Sequence, residues 1–198
     1  MKIYLIRHGQ TTGDLEDRYG GDYEDHLSEE GKKQAEILAD KLKDKGIEII
    51  FYSPRIRSKE TTKIINKKLN AKTKEVYDFR ERNAYGVMTG LRKTEANNKY
   101  PKEVAKIKKD KLNHKVKNSE RYTHFRERIM KSLTDLSNSN YDTIAIITHG
   151  GPISCIIREV LRLGELKKID DCAIIEIDKK HEYGIVNMDG ATLENELI

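Results

Sequence analysis

The apolar residues of this 198-residue chain fall into short runs separated by long polar stretches. Two runs are continuous rather than helically spaced. Ile3-Tyr4-Leu5-Ile6 and Ile144-Ala145-Ile146-Ile147 are blocks of strand-favouring residues, which predicts buried strands. Ile47 to Tyr52 predicts a third. Between them the period changes to that of helices. Ala35, Leu38, Ala39 and Leu42 recur at i, i+3, i+4 and i+7 behind Ser28 as N-cap, with Glu29 and Glu30 in the first turn and Gly46 as the stop. Ser53-Pro54 predicts another start, Ser53 capping and Pro54 in first position, with Ile56, Ile64, Ile65 and Leu69 apolar. Glu120 opens a helix carrying Tyr122, Phe125, Ile129, Leu133 and Leu136. Gly150-Gly151-Pro152 opens one carrying Ile153, Ile156, Ile157, Val160 and Leu161, closed by Gly164. Ala173–Ile177 and Tyr183–Met188 read as a strand hairpin, and Gln10–Asp25, dense in Gly, Asp and Thr, as a loop. Strands alternating with helices imply an α/β fold with a mainly parallel sheet and right-handed crossovers. No linker divides the chain, so residues 1–198 are expected to form one domain. The lysine-rich stretch 91–118 is read as a polar insertion covering the site, with a solvated helix over Lys102–Lys111.

The candidate chemistry lies where two of these strands end. The first runs into Arg7-His8-Gly9 and the late one into Thr148-His149-Gly150. If both strands are parallel in one open sheet, their carboxyl ends lie side by side, where ligands bind in α/β folds. Two histidines and an arginine from opposite ends of the chain would then meet. Arg57 falls in the first turn of a helix that follows a strand, a place that favours anions. Arg55, two residues earlier, reads as a surface arginine paired with an acid.

Hydrophobic and charged residues each make up 36% of the chain, yet the apolar ones are concentrated in periodic segments, which argues for a folded protein. No apolar run approaches the roughly 20 residues that cross a bilayer, so no membrane partner is expected. Ile3 to Ile6 leads straight into Arg7, unlike a signal peptide. Cys155 and Cys172 have no metal-type spacing, and a reduced, cytoplasmic protein is the simplest account. A net charge of +5 suits an anionic substrate or merely a solvated lysine surface. The lysines are not interleaved with aromatics, so no nucleic-acid partner is expected.

With Arg7-His8-Gly9, Ser53 followed by Arg57, Glu81 followed by Tyr85-Gly86, and His149-Gly150, the chain resembles the histidine phosphatase superfamily, the phosphoglycerate mutase-like family. The resemblance implies a three-layer α/β/α sandwich around a mainly parallel six-stranded sheet with one antiparallel strand. It implies catalytic roles for Arg7, His8, Arg57, Glu81 and His149. His8 becomes the nucleophile, Arg7 and Arg57 bind the phosphoryl group, a protonated His149 contacts the same oxygens, and Glu81 exchanges protons with the leaving alcohol and water. Asp14, Gly20, Gly21, Arg82, Tyr85 and Gly150 join Arg7 and Arg57 as substrate-binding candidates. Two arginines and an imidazolium can neutralise a phosphoryl group, so no metal and no cofactor are implied. The implied function is a phosphomonoester hydrolase acting on a small phosphorylated substrate through a phosphohistidine on His8. A 2,3-bisphosphoglycerate-dependent phosphoglycerate mutase is the alternative, and a catalytically inactive binding protein a more distant one. Against the mutase, Asp14 and Asp22 stand where mutases carry asparagine and tryptophan, and two carboxylates in the first loop are expected to repel a second anionic group; Gly151 stands where mutases place an asparagine. A homodimer is left open.

Overall fold

The computed structural model describes residues 1–110 and 112–194. In chain order the elements are β1 (Lys2–Arg7), α1 (Thr12–Leu15), α2 (Glu29–Leu42), β2 (Ile49–Tyr52), α3 (Ile56–Leu69) and β3 (Lys72–Glu75). After them come α4 (Lys93–Lys99), α5 (Pro101–Lys109), α6 (Tyr122–Ser137), β4 (Thr143–Thr148) and α7 (Gly150–Cys155), which runs on into a π-helical turn, Ile156–Val160. β5 (Leu166–Lys179) and β6 (Tyr183–Leu193) complete the sheet.

The six strands lie in the order β3-β2-β4-β1-β5-β6. β1, β2, β3 and β4 pair in parallel, whereas β5 is antiparallel to both β1 and β6, so it is the one reversed strand. Residues of the central strands are buried on both faces, and alternation along each strand assigns them to two layers. Ile3, Leu5, Phe51, Ile144 and Ile146 pack under α6 and α7 with Phe125, Ile129, Leu133 and Ile153. Tyr4, Ile6, Ile50, Ala145 and Ile147 pack on the other face under Leu38, Ala39 and Leu42 of α2 and Ile65 of α3. A mainly parallel sheet between two helical layers is the α/β/α sandwich that the sequence implied.

The register of β1 on β4 sets the site. Arg7 pairs with Thr148, so the residues following them, His8 and His149, leave the sheet side by side. The His8 N–H donates to Thr148 O at 3.0 Å. Gly9 is required by the next contact: a Cβ there would lie 2.6 Å from the carbonyl oxygen of Gly31 in the first turn of α2.

Several elements differ from expectation. β3, Lys-Thr-Lys-Glu, was not foreseen; every residue is exposed on a sheet edge, so no apolar pattern marks it. The loop 10–25 contains one helical turn, α1, closed by a capping box between Thr11 and Asp14. α2 is capped by Ser28, whose side chain accepts from Gly31 N, but it ends at Leu42; Gly46 (φ 68°) belongs to the following turn. α3 begins two residues later than the Ser-Pro signal, with Arg55 as N-cap; the Ser53 hydroxyl oxygen accepts the Arg55 N–H at 3.3 Å and also meets His149. The helix expected over Lys102–Lys111 runs Pro101–Lys109 and is not merely solvated. It buries Val104 and Ile107 in a small cluster with Tyr19, Met88, Ala96 and Val116; Lys111 lies outside the described residues. β5 extends beyond the expected strand at both ends, and β6 begins at Tyr183 as expected but runs on to Leu193.

Candidate active site

Arg57 reaches from the first turn of α3 to the gap between the two histidines. Its Nε–H is shared between His8 Nε2 (3.1 Å) and His149 Nδ1 (3.2 Å). A guanidinium only donates, so both facing ring nitrogens are acceptors and the proton of each ring is on the other nitrogen. His8 Nδ1–H donates to Gly9 O at 2.8 Å, and His149 Nε2–H donates to Ser53 Oγ at 2.7 Å. His8 therefore carries its lone pair on Nε2, beside the arginine. Burial, then the Arg57 charge, then Arg7 hold the His8 pKa well below the usual imidazole range. His149 is lowered in the same direction by burial, Arg57 and His8. Arg57 and burial favour neutral rings in this arrangement, whereas the resemblance implied a protonated His149 in contact with phosphoryl oxygens. His149 is 0% exposed and forms no part of the cleft wall, whereas His8, 6% exposed, does. Arg57 stands between His149 and the cleft.

The remaining Arg57 donors are also engaged, Nη1 with Tyr23 O (2.8 Å) and Nη2 with Gly21 O (2.9 Å). A buried guanidinium needs such partners, because an unpaired one costs several kcal/mol. The loop 20–25 is thus fastened to the two rings through one side chain. Arg55 behaves differently, pairing at the surface with Asp22 and Glu24, both at 2.6 Å.

These groups open on a cleft of about 860 Å³. Its wall includes Arg7, His8, Arg57, Glu81 and Gly151 at the sheet end, and Gly20, Gly21, Arg82, Tyr85 and Gly150 around them. Lys108, Lys109 and Leu112 approach from the 91–118 segment. Glu81 is oriented by two backbone donors: Arg82 N–H to Oε1 (2.7 Å) and Gly151 N–H to Oε2 (3.0 Å). A Cβ on Gly151 would lie 2.0 Å from Glu81 Oε1, so the carboxylate occupies the space of a side chain at 151.

The two carboxylates of the first loop stand in different places. Asp14 lines the cleft, but its Oδ2 accepts from both the N–H (2.9 Å) and hydroxyl (2.7 Å) of Thr11, so it serves the cap of α1. Asp22 is absent from the wall, its charge offset by Arg55 and by Arg80 at 3.5 Å. The repulsion argued against a second anionic group loses its second carboxylate.

Three participants were not foreseen. Ser53 was read as a cap and instead fixes the tautomer of His149. Arg128, on α6, ties Glu120 to the segment leading to Glu81. Nε and Nη2 take the two oxygens of Glu120 (2.7 and 2.9 Å), Nη1 takes Asp78 O and Arg80 O, and Nη2 takes Glu81 O (3.2 Å). Asp171, on β5, faces Arg7. Ser53 already bore a sequence signal, misassigned; the other two are ordinary charged residues until the chain is folded.

The profile of the histidine phosphatase superfamily (branch 1) matches residues 3–188. The chain belongs to this family. A Bacillus subtilis (strain 168) protein called "uncharacterized phosphatase PhoE" is 28% identical over 159 residues, which are 80% of this chain and 76% of that one. The alpha-ribazole phosphatase of Shigella flexneri superposes with a TM-score of 0.84, at 20% identity over 99% of this chain and 100% of that one. A phosphoglycerate mutase from Bacillus anthracis str. Sterne superposes with a TM-score of 0.83, at 19% identity over 96% of this chain and 92% of that one. At such identities the likeness is one of fold. Phosphatase and mutase fit equally well, so the choice between them falls to the site. Among the described residues no helix is long and apolar enough to cross a membrane, and no three His, Cys, Asp or Glu side chains are grouped as a metal-holding set.

Proposed function

We propose that this histidine phosphatase superfamily member hydrolyses phosphomonoesters in two steps through a phosphohistidine on His8. The observation that carries the reading is the Arg57 Nε–H directed at His8 Nε2, which makes that nitrogen an acceptor in a neutral ring. In the first step the Nε2 lone pair forms the N–P bond while the ester P–O bond breaks. Glu81, fixed by the N–H groups of Arg82 and Gly151, gives the leaving oxygen its proton. In the second step water attacks phosphorus, its proton passes to Glu81, and the N–P bond breaks to release inorganic phosphate and neutral His8. Arg7 and Arg57 spread positive charge over the phosphoryl oxygens, as phosphoryl transfer needs. A phosphoryl oxygen entering beside Arg57 replaces its Nε as partner of His149 Nδ1, and the added negative charge favours uptake of a proton from solvent at that nitrogen. That reconciles its neutral state here with an electrostatic role during reaction.

The choice of phosphatase over mutase is supported by Gly151. Gly151 stands where mutases place an asparagine, and a Cβ there would meet the Glu81 carboxylate at 2.0 Å. We read the segment 91–118 as the cover over the leaving group. We retain the cytoplasm as the compartment, on the reading of Cys155 and Cys172 as reduced thiols.

The test is a panel of phosphomonoesters assayed in EDTA with wild type and His8→Ala, beside 3-phosphoglycerate with and without 2,3-bisphosphoglycerate. EDTA-insensitive hydrolysis that needs His8 supports the reading. Fast interconversion dependent on 2,3-bisphosphoglycerate establishes the mutase instead, and no turnover of any ester establishes a binding protein.

A further inference from the structure

We infer that Asp171 is a positioning residue whose carboxylate holds the Arg7 guanidinium in the orientation that receives the phosphoryl group. The inference rests on reading Arg7 as a ligand of that group. Arg7 ends β1, and it is gripped from the neighbouring antiparallel strand. The pairing of β5 with β6 breaks register between Ile169 and Ile174, and Cys172 within the break has φ 57°. An irregularity of this kind re-aims side chains that a regular strand would send to alternate faces.

Here the irregular stretch makes three contacts with the Arg7-His8 turn. Arg7 Nη1 donates to Ile169 O at 2.7 Å, the Cys172 N–H donates to His8 O at 3.2 Å, and Arg7 Nη2 lies 3.1 Å from Asp171 Oδ1. The third contact differs in kind from the first two. Asp171 Oδ1 is buried yet accepts no aligned hydrogen bond, so it attracts Nη2 by charge without claiming a particular N–H. One arm of the fork is locked to a carbonyl and the other is steadied ionically, which leaves Nη2 donors for phosphoryl oxygens. Burial pushes the Asp171 carboxyl up and Arg7 pulls it down, as a partly buried pair requires.

A carboxylate beside an anion site has an opposing effect, because it repels a phosphoryl dianion. The two effects give Asp171→Asn opposite outcomes: if orientation outweighs repulsion the variant is a worse enzyme, and if repulsion outweighs orientation it is a better phosphate binder. The nearly isosteric Asn removes the charge with little disturbance of packing, and Asp171→Ala serves as a second variant should Asn hydrogen-bond anew.

The experiment measures kcat, KM and the inhibition constant of inorganic phosphate for wild type, Asp171→Asn, Asp171→Ala, Arg7→Ala and both double variants, with thermal melts confirming the fold. The expected result is a roughly tenfold to hundredfold loss of kcat/KM in each Asp171 variant, a matching rise in the phosphate inhibition constant, and an effect of under about twofold once Arg7 is alanine. Unchanged kinetics, tighter phosphate binding, or an equal loss with and without Arg7 overturns the inference while leaving the phosphatase reading intact. Full activity in Arg7→Ala removes the premise and the inference together.

Discussion

The rings of His8 and His149 meet edge to face, centroids 5.0 Å apart and planes inclined by 65°. The register of β1 on β4 makes them neighbours, and the Arg57 Nε–H between them determines which nitrogen of each ring is free. The relation explains how a chain so polar overall keeps two uncharged imidazoles together, His8 lining a charged cleft and His149 buried behind Arg57. The guanidinium that helps lower their basicity also satisfies their lone pairs.

Arg57 and Arg55 should separate cleanly on mutation. Arg57→Ala strips partners from two rings and from the carbonyls of Gly21 and Tyr23, and should lower kcat/KM on the order of a hundredfold to a thousandfold. Arg57→Lys should not restore it, because an ammonium cannot reproduce the fork. Arg55→Ala, which frees the carboxylates of Asp22 and Glu24 but no group of the ring cluster, should stay within about threefold of wild type. Steady-state kinetics on p-nitrophenyl phosphate decide this, and comparable losses in both variants would refute the distinction.

The pH dependence follows from the depressed imidazoles. A nucleophile must be unprotonated, and His8 stays so below its ordinary range, so the acid limb of kcat/KM that its protonation sets should lie below about 6.5. Stability has a related sign. The unfolded chain protonates these rings near pH 6.5 and the folded one does not. Their contribution is therefore complete above that pH and declines as pH falls toward the folded values, at up to about 1.4 kcal/mol per unit for each ring. An acid limb centred at or above 6.5 in a pH–rate profile would contradict the neutral His8.

Gly151→Ala should act through Glu81. Its Cβ displaces the carboxylate, which is 2.0 Å from that position. The variant should therefore resemble Glu81→Gln, losing on the order of a hundredfold with alkyl phosphates and much less with p-nitrophenyl phosphate, whose leaving group needs no proton. Equal losses on both substrates would remove Glu81 from proton transfer.

Much of this arrangement was legible in the sequence because continuous apolar runs ending in His-Gly leave little freedom for β1 and β4, and Ser-Pro after a strand places Arg57. The limits are equally physical. Lys72–Glu75 form a strand with no apolar residue, since an edge strand exposed on both faces needs none. Ser53 presents a capping signal but bonds to His149, a partner that only the fold brings within reach. Asp22 looked like a cleft carboxylate until Arg55 and Arg80 closed on it.

Ser53→Ala should test that misassigned hydroxyl. It leaves the buried His149 Nε2–H unpaired, at a cost of about 1–3 kcal/mol, and frees the ring to take the other tautomer. A lower melting temperature together with reduced kcat is expected. A melting temperature equal to wild type would mean that the bond to His149 contributes nothing to the fold.

The most direct measurement is rapid acid-free quenching of enzyme mixed with p-nitrophenyl phosphate, followed by peptide mass spectrometry of wild type. We expect one acid-labile phosphoryl group on the peptide that begins the chain, located on His8 and formed as fast as the first turnover. A phosphoryl group on any other side chain, or steady hydrolysis with none trapped and undiminished turnover in His8→Ala, would contradict the mechanism.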